Sequence, residues 1–310
     1  MTAALPDIER TREKPGPGPV PAGLLRALDL RIARRTASLA DGDHRAARLG
    51  RGSELAQVRP YFEGDDVRRI DWNATARHNE LHVRVDVAER AVSTWLLLDV
   101  SPSMTFGTGL RRKTDVVEGV GLALAHITSR RGNRVGALTF GGAQPITVRQ
   151  RQGRRGLVGA LLAARQEPET DQVGATSLGA ALDRLSAVAR QRGVVFVVSD
   201  FLGPRDWRGP LLRLAARHEV TAIEIRDRRE HELPDVGHLW LVDPETGRRI
   251  QVDTRRRKTR DAFAAAAEAD RADVARELAS LGVAHCTLST DEDWLHALGA
   301  FLTQGRRRRP

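Results

Sequence analysis

The hydrophobic pattern of this chain has three textures. Over residues 24–40, apolar side chains (Leu24, Leu25, Leu28, Ile32) recur near helical spacing among arginines, which predicts an amphipathic helix. Over 41–90 the apolar stretches are short, and glycine and charge are dense. Only Leu81, Val83, Val85 and Val87 alternate with polar residues there, which predicts a half-buried strand within a small β-rich unit. Gly64-Asp65-Asp66 reads as a turn, and Glu63, Asp65, Asp66, Arg68, Arg69, Asp71 and Arg77 read as an ion-pair cluster, with a binding role as the alternative.

From Ser93 onward, continuous apolar runs and helical periodicities take turns. Residues 95–98 and 194–198 are uninterrupted apolar runs, the pattern of strands whose two faces are both covered. Further strands are predicted over 134–140, 145–149, 220–225 and 283–288. Residues 115–129 place Val116, Val117, Val120, Leu124 and Ile127 on one helical face. Helices are also predicted over 156–165, 177–190, 207–217, 260–281 and 293–302. Residues 239–242 and 249–252 flank Pro244-Glu245-Thr246-Gly247, a hairpin turn.

Alternating strands and helices with doubly covered strands predict an α/β fold: an open, mostly parallel, Rossmann-type sheet with helices on both faces. The expected organisation is a disordered Pro/Gly-rich lead-in over 1–20 and the amphipathic helix with the β-rich unit over 21–90. The main α/β domain follows over 91–305, with a basic tail over 306–310. Sheets of this kind bind ligands beyond the carboxyl ends of their strands. Two apolar runs end there on acids, one at Asp99 and the other at Ser199-Asp200.

Ser101 and Ser103 follow Asp99 at alternate positions, and Thr176 precedes a predicted helix. Asp99, Ser101, Ser103, Thr176 and Asp200 offer only hard oxygen donors. Mg²⁺ suits such a set, and Mn²⁺ or Ca²⁺ can also be held by it. An ion bound largely through hydroxyls keeps much of its positive charge and attracts an acidic side chain from another molecule. That is chemistry for adhesion rather than turnover. In the alternative, Ser101 and Ser103 cap the following turn and Thr176 caps a helix, with no ion involved.

The remaining composition narrows the function classes. The 310 residues carry a formal net charge of +10, which invites a nucleic-acid reading. Aromatic residues make up only 4%, however, and none interleaves with the basic runs as a stacking platform. A phosphoryl-transfer enzyme is a second alternative, since a strand-end Asp with Mg²⁺ also serves that chemistry. Ser101 stands where the haloacid dehalogenase-like pattern has a second Asp, and no P-loop motif occurs. His78 and His82 are four apart, but the alternation around Leu81 speaks against a helical metal pair. The single cysteine, Cys286, falls in an apolar strand and reads as a core residue. No apolar run approaches the roughly 18–20 residues of a membrane span, and no signal-peptide pattern opens the chain, so a cytoplasmic location is expected.

Asp99-x-Ser101-x-Ser103, Thr176 in Gly174-Ala175-Thr176-Ser177, and Asp200 in Val198-Ser199-Asp200-Phe201 together resemble the metal-ion-dependent adhesion site of von Willebrand factor A domains. The upstream block resembles the DUF58 family in Tyr61, Gly64-Asp65-Asp66, Arg69-Ile70-Asp71-Trp72 and Ala76-Arg77. Asp243-Pro244-Glu245-Thr246-Gly247 is similar to that family too. The resemblance implies a von Willebrand A-like domain without enzymatic activity. It also implies a partnership with a MoxR-type AAA+ ATPase that assembles or activates other proteins.

Overall fold

The computed structural model describes residues 18, 55–86, 92–129, 133–142, 144–152 and 177–304. The helices expected over 24–40 and 156–165, the lead-in apart from Gly18, the basic tail and Thr176 lie outside the described residues. The described chain falls into two compact units, one holding 55–86 and the other 92–304.

In the smaller unit, β1 (Leu55–Pro60) pairs antiparallel with β2 (His82–Asp86), with Arg59 opposite Val83. Between them runs α1 (Trp72–His78), which the sequence pattern did not predict. Its cause is Asp71, whose carboxylate accepts from the Asn73 and Ala74 N–H groups and so caps the helix. Asn79 in the left-handed conformation (φ 56°) ends it. Among the described residues, two acids of the expected cluster pair with arginines outside it. Asp65 makes a two-pronged pair with Arg59 at 2.7 Å, and Asp71 pairs with Arg84 at 2.9 Å.

The larger unit is built on a six-stranded sheet of order β10-β7-β6-β3-β4-β5. Its strands are β3 (Ser93–Asp99), β4 (Arg134–Phe140), β5 (Thr147–Gln152), β6 (Gly193–Ser199), β7 (Glu219–Arg226) and β10 (Ala284–Ser289). All neighbours are parallel except β5, which returns antiparallel beside β4. Every residue of β3 and β6 is buried, as their unbroken apolar runs require.

Side-chain alternation divides the core between two faces. Trp95 and Leu97 of β3 join Val195 and Val197 of β6 beneath α3 (Leu178–Val188), α4 (Arg208–Ala215) and α5 (Arg257–Ser280). On the other face α2 (Lys113–Ser129) buries Val116, Val117, Val120, Leu124 and Ile127, and it packs beside α6 (Trp294–Gln304). Gly282 (φ +69°) supplies the left-handed residue that ends α5 and turns the chain into β10. Cys286 is buried in β10, and burial pushes its thiol up to about 12, as befits a core residue. A separate hairpin, β8 (His238–Val242) with β9 (Arg249–Asp253), forms its own two-stranded sheet.

The strand order fixes where a ligand can sit. From β3 the chain moves outward through β4 to β5, and from β6 it moves the opposite way through β7 to β10. The crossover directions reverse between β3 and β6, and at such a switch point the carboxyl ends of adjacent strands leave a crevice. Asp99 is the last residue of β3, and Asp200 directly follows β6.

Candidate functional site

The register carries both acids to one edge: Leu98 pairs with Val198, so the two strands end side by side. Beyond Asp99 the chain enters a 3-10 turn, Pro102–Thr105, whose first helical position is Pro102. A ring that presets φ and lacks an N–H is well tolerated there. Gly141 (φ +83°) lies against this segment so closely that a Cβ on it would stand 2.6 Å from the Cβ of Ser101. Only glycine lets the end of β4 approach it so nearly. After Asp200, Phe201 is held at φ 56° while its buried ring packs edge-on to Trp207 at 5.8 Å. A bulky residue in that conformation costs on the order of 1–3 kcal/mol. The buried aromatic pair maintains it and so fixes the turn that presents Asp200.

Asp99, Ser101, Ser103 and Asp200 converge, and all four are buried. The Ser103 hydroxyl donates to Asp200 Oδ2 at 2.8 Å. The Ser101 hydroxyl lies 3.0 Å from that of Ser103. Asp99 Oδ1 accepts from the Ser101 N–H at 3.0 Å, and its Oδ2 accepts from the Ser199 hydroxyl at 2.5 Å. The capping alternative for the serines does not describe them: Ser101 is the N-cap residue of the 3-10 turn, yet its side chain makes no cap hydrogen bond. Helix α3 is capped instead by Ser177, whose Oγ accepts from the Ala180 N–H and donates to Asp206. Thr176 lies outside the described residues.

Three side chains at this edge escaped the sequence reading. Lys113, at the start of α2, is 0% exposed; its ammonium bonds Asp200 Oδ2 at 2.7 Å and also Glu230. Burial, the largest single influence, pulls its pKa down, and the two carboxylates together outweigh burial and hold it above its usual value. Glu230 is braced in turn by Arg271 at 3.6 Å. The third is Glu245, at the tip of the β8–β9 hairpin, which accepts from the Ser103 N–H at 3.2 Å. The sequence held a signal for Lys113: it stands three and four positions before Val116 and Val117, on the inward stripe of α2.

The electrostatic result is asymmetric. Asp200 has a cation against it, whereas among the described residues none pairs with Asp99. Burial, and after it the negative charge of Asp200, push the Asp99 carboxyl up to about 7. Among the described residues no group of three or more His, Cys, Asp or Glu side chains is arranged to hold a metal. The rings of His78 and His82 lie 5.0 Å apart between centroids, tilted by 34°, one at the end of α1 and the other at the start of β2. Arg59, Arg205, Arg213, Arg226, Arg228 and Arg260 each pair with a carboxylate.

Fold and site together define an α/β sheet module whose switch point carries two carboxylates and two hydroxyls. The chain belongs to the DUF58 family, described as a protein family of unknown function, whose pattern matches residues 57–273. An uncharacterized protein of Mycobacterium tuberculosis (strain ATCC 25618 / H37Rv) is 41% identical over 288 residues, covering 92% of this chain and 90% of that one. One from Mycobacterium avium is 48% identical over 132 residues, 42% of this chain and 76% of that protein. Among solved structures, the conserved hypothetical protein BatB from Bacteroides thetaiotaomicron matches with a TM-score of 0.47 and 14% identity, over 69% of this chain and 98% of that chain. A von Willebrand factor type A structure from Catenulispora acidiphila matches with a TM-score of 0.36 and 11% identity, over 72% of this chain and 44% of that one. The fold assignment itself rests on the strand order of this chain. Among the described residues, no helix is long and apolar enough to cross a membrane.

Proposed function

We propose that this protein is a non-enzymatic, cytoplasmic capture module that binds a protein partner through a cation at the β3–β6 edge. Asp99, Ser101, Ser103 and Asp200, together with Thr176, would hold the ion. Mg²⁺ fits an all-oxygen donor set best, with Mn²⁺ and Ca²⁺ as substitutes. The observation that carries this reading is the junction of two strand ends, with Ser103 Oγ 2.8 Å from Asp200 Oδ2 and 3.0 Å from Ser101 Oγ. These hydroxyls serve neither as caps nor as surface groups, and the adjacent Asp99 carboxylate has no cation among the described residues.

When bound, the ion would supply a positive centre for an acidic side chain of the partner. The chain's own residues do the positioning. Ser199 and the Ser101 N–H orient Asp99, Ser103 orients Asp200, and Lys113 pairs with Asp200. The family resemblance suggests a MoxR-type AAA+ ATPase as the partner. Ser101, two residues after Asp99, is hydrogen-bonded to Ser103 and offers no second carboxylate for phosphoryl transfer.

Calorimetric titration with Mg²⁺ and Mn²⁺ tests the ion. Wild type is expected to bind one equivalent and Asp99→Ala none, with both melting cooperatively. Capture of a purified MoxR-type ATPase is expected in Mg²⁺ and not in chelator. Equal capture in both sinks the metal dependence. Release of phosphate from a phosphomonoester would favour the enzymatic alternative, and DNA retention that survives moderate salt would favour the nucleic-acid one.

A further inference from the structure

The hairpin β8–β9 reaches the candidate site with an acidic residue of the chain itself. Glu245 accepts from the backbone N–H of Ser103, the same residue whose hydroxyl bonds Asp200. The turn that presents Glu245 is stiff. The Asp243 N–H donates to the Arg248 carbonyl at 2.9 Å, the Gly247 N–H donates to the Asp243 carbonyl at 2.8 Å, and the Asp243 carboxylate accepts from the Glu245 N–H at 3.0 Å. Gly247, at φ +68°, gives the turn the left-handed residue it needs. Asp243, Pro244, Thr246 and Gly247 are exposed, and Glu245 alone among these five is half-buried. The turn thus points one carboxylate inward.

The rest of the hairpin is lightly attached. None of the residues of either strand is buried. Leu239, Leu241 and Val252 are half-buried, while Trp240 and Val242 on the opposite face are exposed at 50% and 52%. At the base, Thr254 is buried, and both its N–H and its hydroxyl donate to the Gly237 carbonyl at 2.7 Å. Gly237 sits at φ +87°. At about 3.3 Å per strand residue, the tip stands roughly 16 Å from this base. A hairpin clamped at its base with little buried area opens at small cost, so its tip contact decides whether it lies down.

The geometry points to Glu245 as a built-in occupant of the capture edge. It fills the carboxylate slot at the Ser103 N–H, and an acidic side chain on a turn of the partner takes that slot by displacing the hairpin. This rests on the capture reading above and adds that the edge is closed from within. It also gives the partner a shape as well as a charge: a carboxylate carried at the tip of a tight turn, as Glu245 is carried by residues 243–247.

Two measurements on the full chain test it. In hydrogen exchange of Glu245→Ala, amides across β8, β9 and at Ser103 are expected to exchange at least about tenfold faster, the loss of a hydrogen bond to a charged acceptor. Those of β3 and β6 should not change. Unchanged protection at Ser103 and the hairpin overturns the proposal. The second measurement uses a labelled synthetic peptide of residues 239–252. It is expected to bind Glu245→Ala at least about tenfold more tightly than wild type, and the same peptide with Glu245→Gln is expected to lose that binding. Equal affinity for both proteins, or binding to neither, overturns the slot. Repeating the titration in chelator separates the two readings. Peptide binding to Glu245→Ala that persists without metal removes the ion from the capture reading and leaves the slot intact. Mg²⁺-dependent binding that is equal for the two proteins does the reverse.

Discussion

Asp99 ends β3 and Asp227 follows β7; both lie at the carboxyl edge of one sheet, and both are buried, at 3% and 0% exposure. Asp227 accepts four hydrogen bonds: from the Thr108 N–H and hydroxyl, the Thr290 hydroxyl and the Arg229 N–H. Burial alone would raise its pKa, but these donors outweigh burial and hold the carboxyl below the usual range. Asp99 accepts from Ser101 and Ser199, but burial, and after it the like charge of Asp200, outweigh these donors and push its carboxyl up instead. Burial therefore does not distinguish a structural acid from a functional one. The donors gathered around it do. Asp227 ties the segment between the 3-10 turn and α2 to the ends of β7 and β10 through Thr108 and Thr290, whereas Asp99 is a buried carboxyl with no cation paired to it among the described residues.

Asp200 stands between these extremes, because Lys113 supplies its cation. Removing that cation should have the largest effect on stability. Lys113→Met leaves Asp200 and Glu230 buried around an apolar chain and is expected to cost about 3–5 kcal/mol in urea unfolding, as for one partner lost from a buried pair. Adding Asp200→Asn should restore at least about 1 kcal/mol, since it removes one of the stranded charges. A loss no larger than that of an exposed lysine variant would show that the ammonium does not neutralise the edge.

Asp227→Asn comes next. An amide offers its two N–H groups where the carboxylate accepts, so some of the four donors lose their acceptor. The expected loss is about 2–3 kcal/mol in the same unfolding measurement. The accompanying pH effect is smaller and has a defined sign. The folded pKa of Asp227 lies below its unfolded value. Its stabilising contribution is thus fully present above the unfolded carboxylate pKa of about 3.9 and is lost as pH falls through the depressed folded value. Wild type should therefore lose stability more steeply than Asp227→Asn on acidification below about pH 4. Parallel curves would mean that the hydrogen bonds do not favour the charged form.

Much of the sheet was legible because its strands are apolar on both faces and bounded by acids. Residues 95–98 and 194–198 could hardly be anything else, and their ends located Asp99 and Asp200. The serine pair was legible as a spacing, though which way the hydroxyls turn is a matter of tertiary structure. Helix α1 was missed because its face is not apolar: Trp72 is 68% exposed, and the helix is nucleated by the Asp71 cap rather than by a buried stripe. Lys113 and Glu245 were hidden for a different reason. A lysine in Arg111-Arg112-Lys113 and a glutamate in a hairpin turn have ordinary surface readings. Their roles come from partners 87 and 142 positions away in sequence, contacts that no local pattern encodes.

The smallest expected effect on stability, and the sharpest test of the comparison, is Asp99→Asn. Here a carboxylate that costs free energy to bury beside Asp200 is replaced by a neutral group of nearly the same shape. An asparagine oxygen can still accept from the Ser101 N–H or the Ser199 hydroxyl, so part of the local bonding survives while the like-charge repulsion is gone. Unfolding in urea at neutral pH without divalent ions should place Asp99→Asn within about 1 kcal/mol of wild type, on either side. Calorimetry on the same preparation should show the Mg²⁺ heat abolished. That pairing, stability kept and ion binding lost, is the behaviour of an acid held for a ligand, and Asp227→Asn should show the opposite pairing. If Asp99→Asn instead lost as much stability as Asp227→Asn, Asp99 would be a second structural acid, and the asymmetry between the two strand ends would carry no functional meaning.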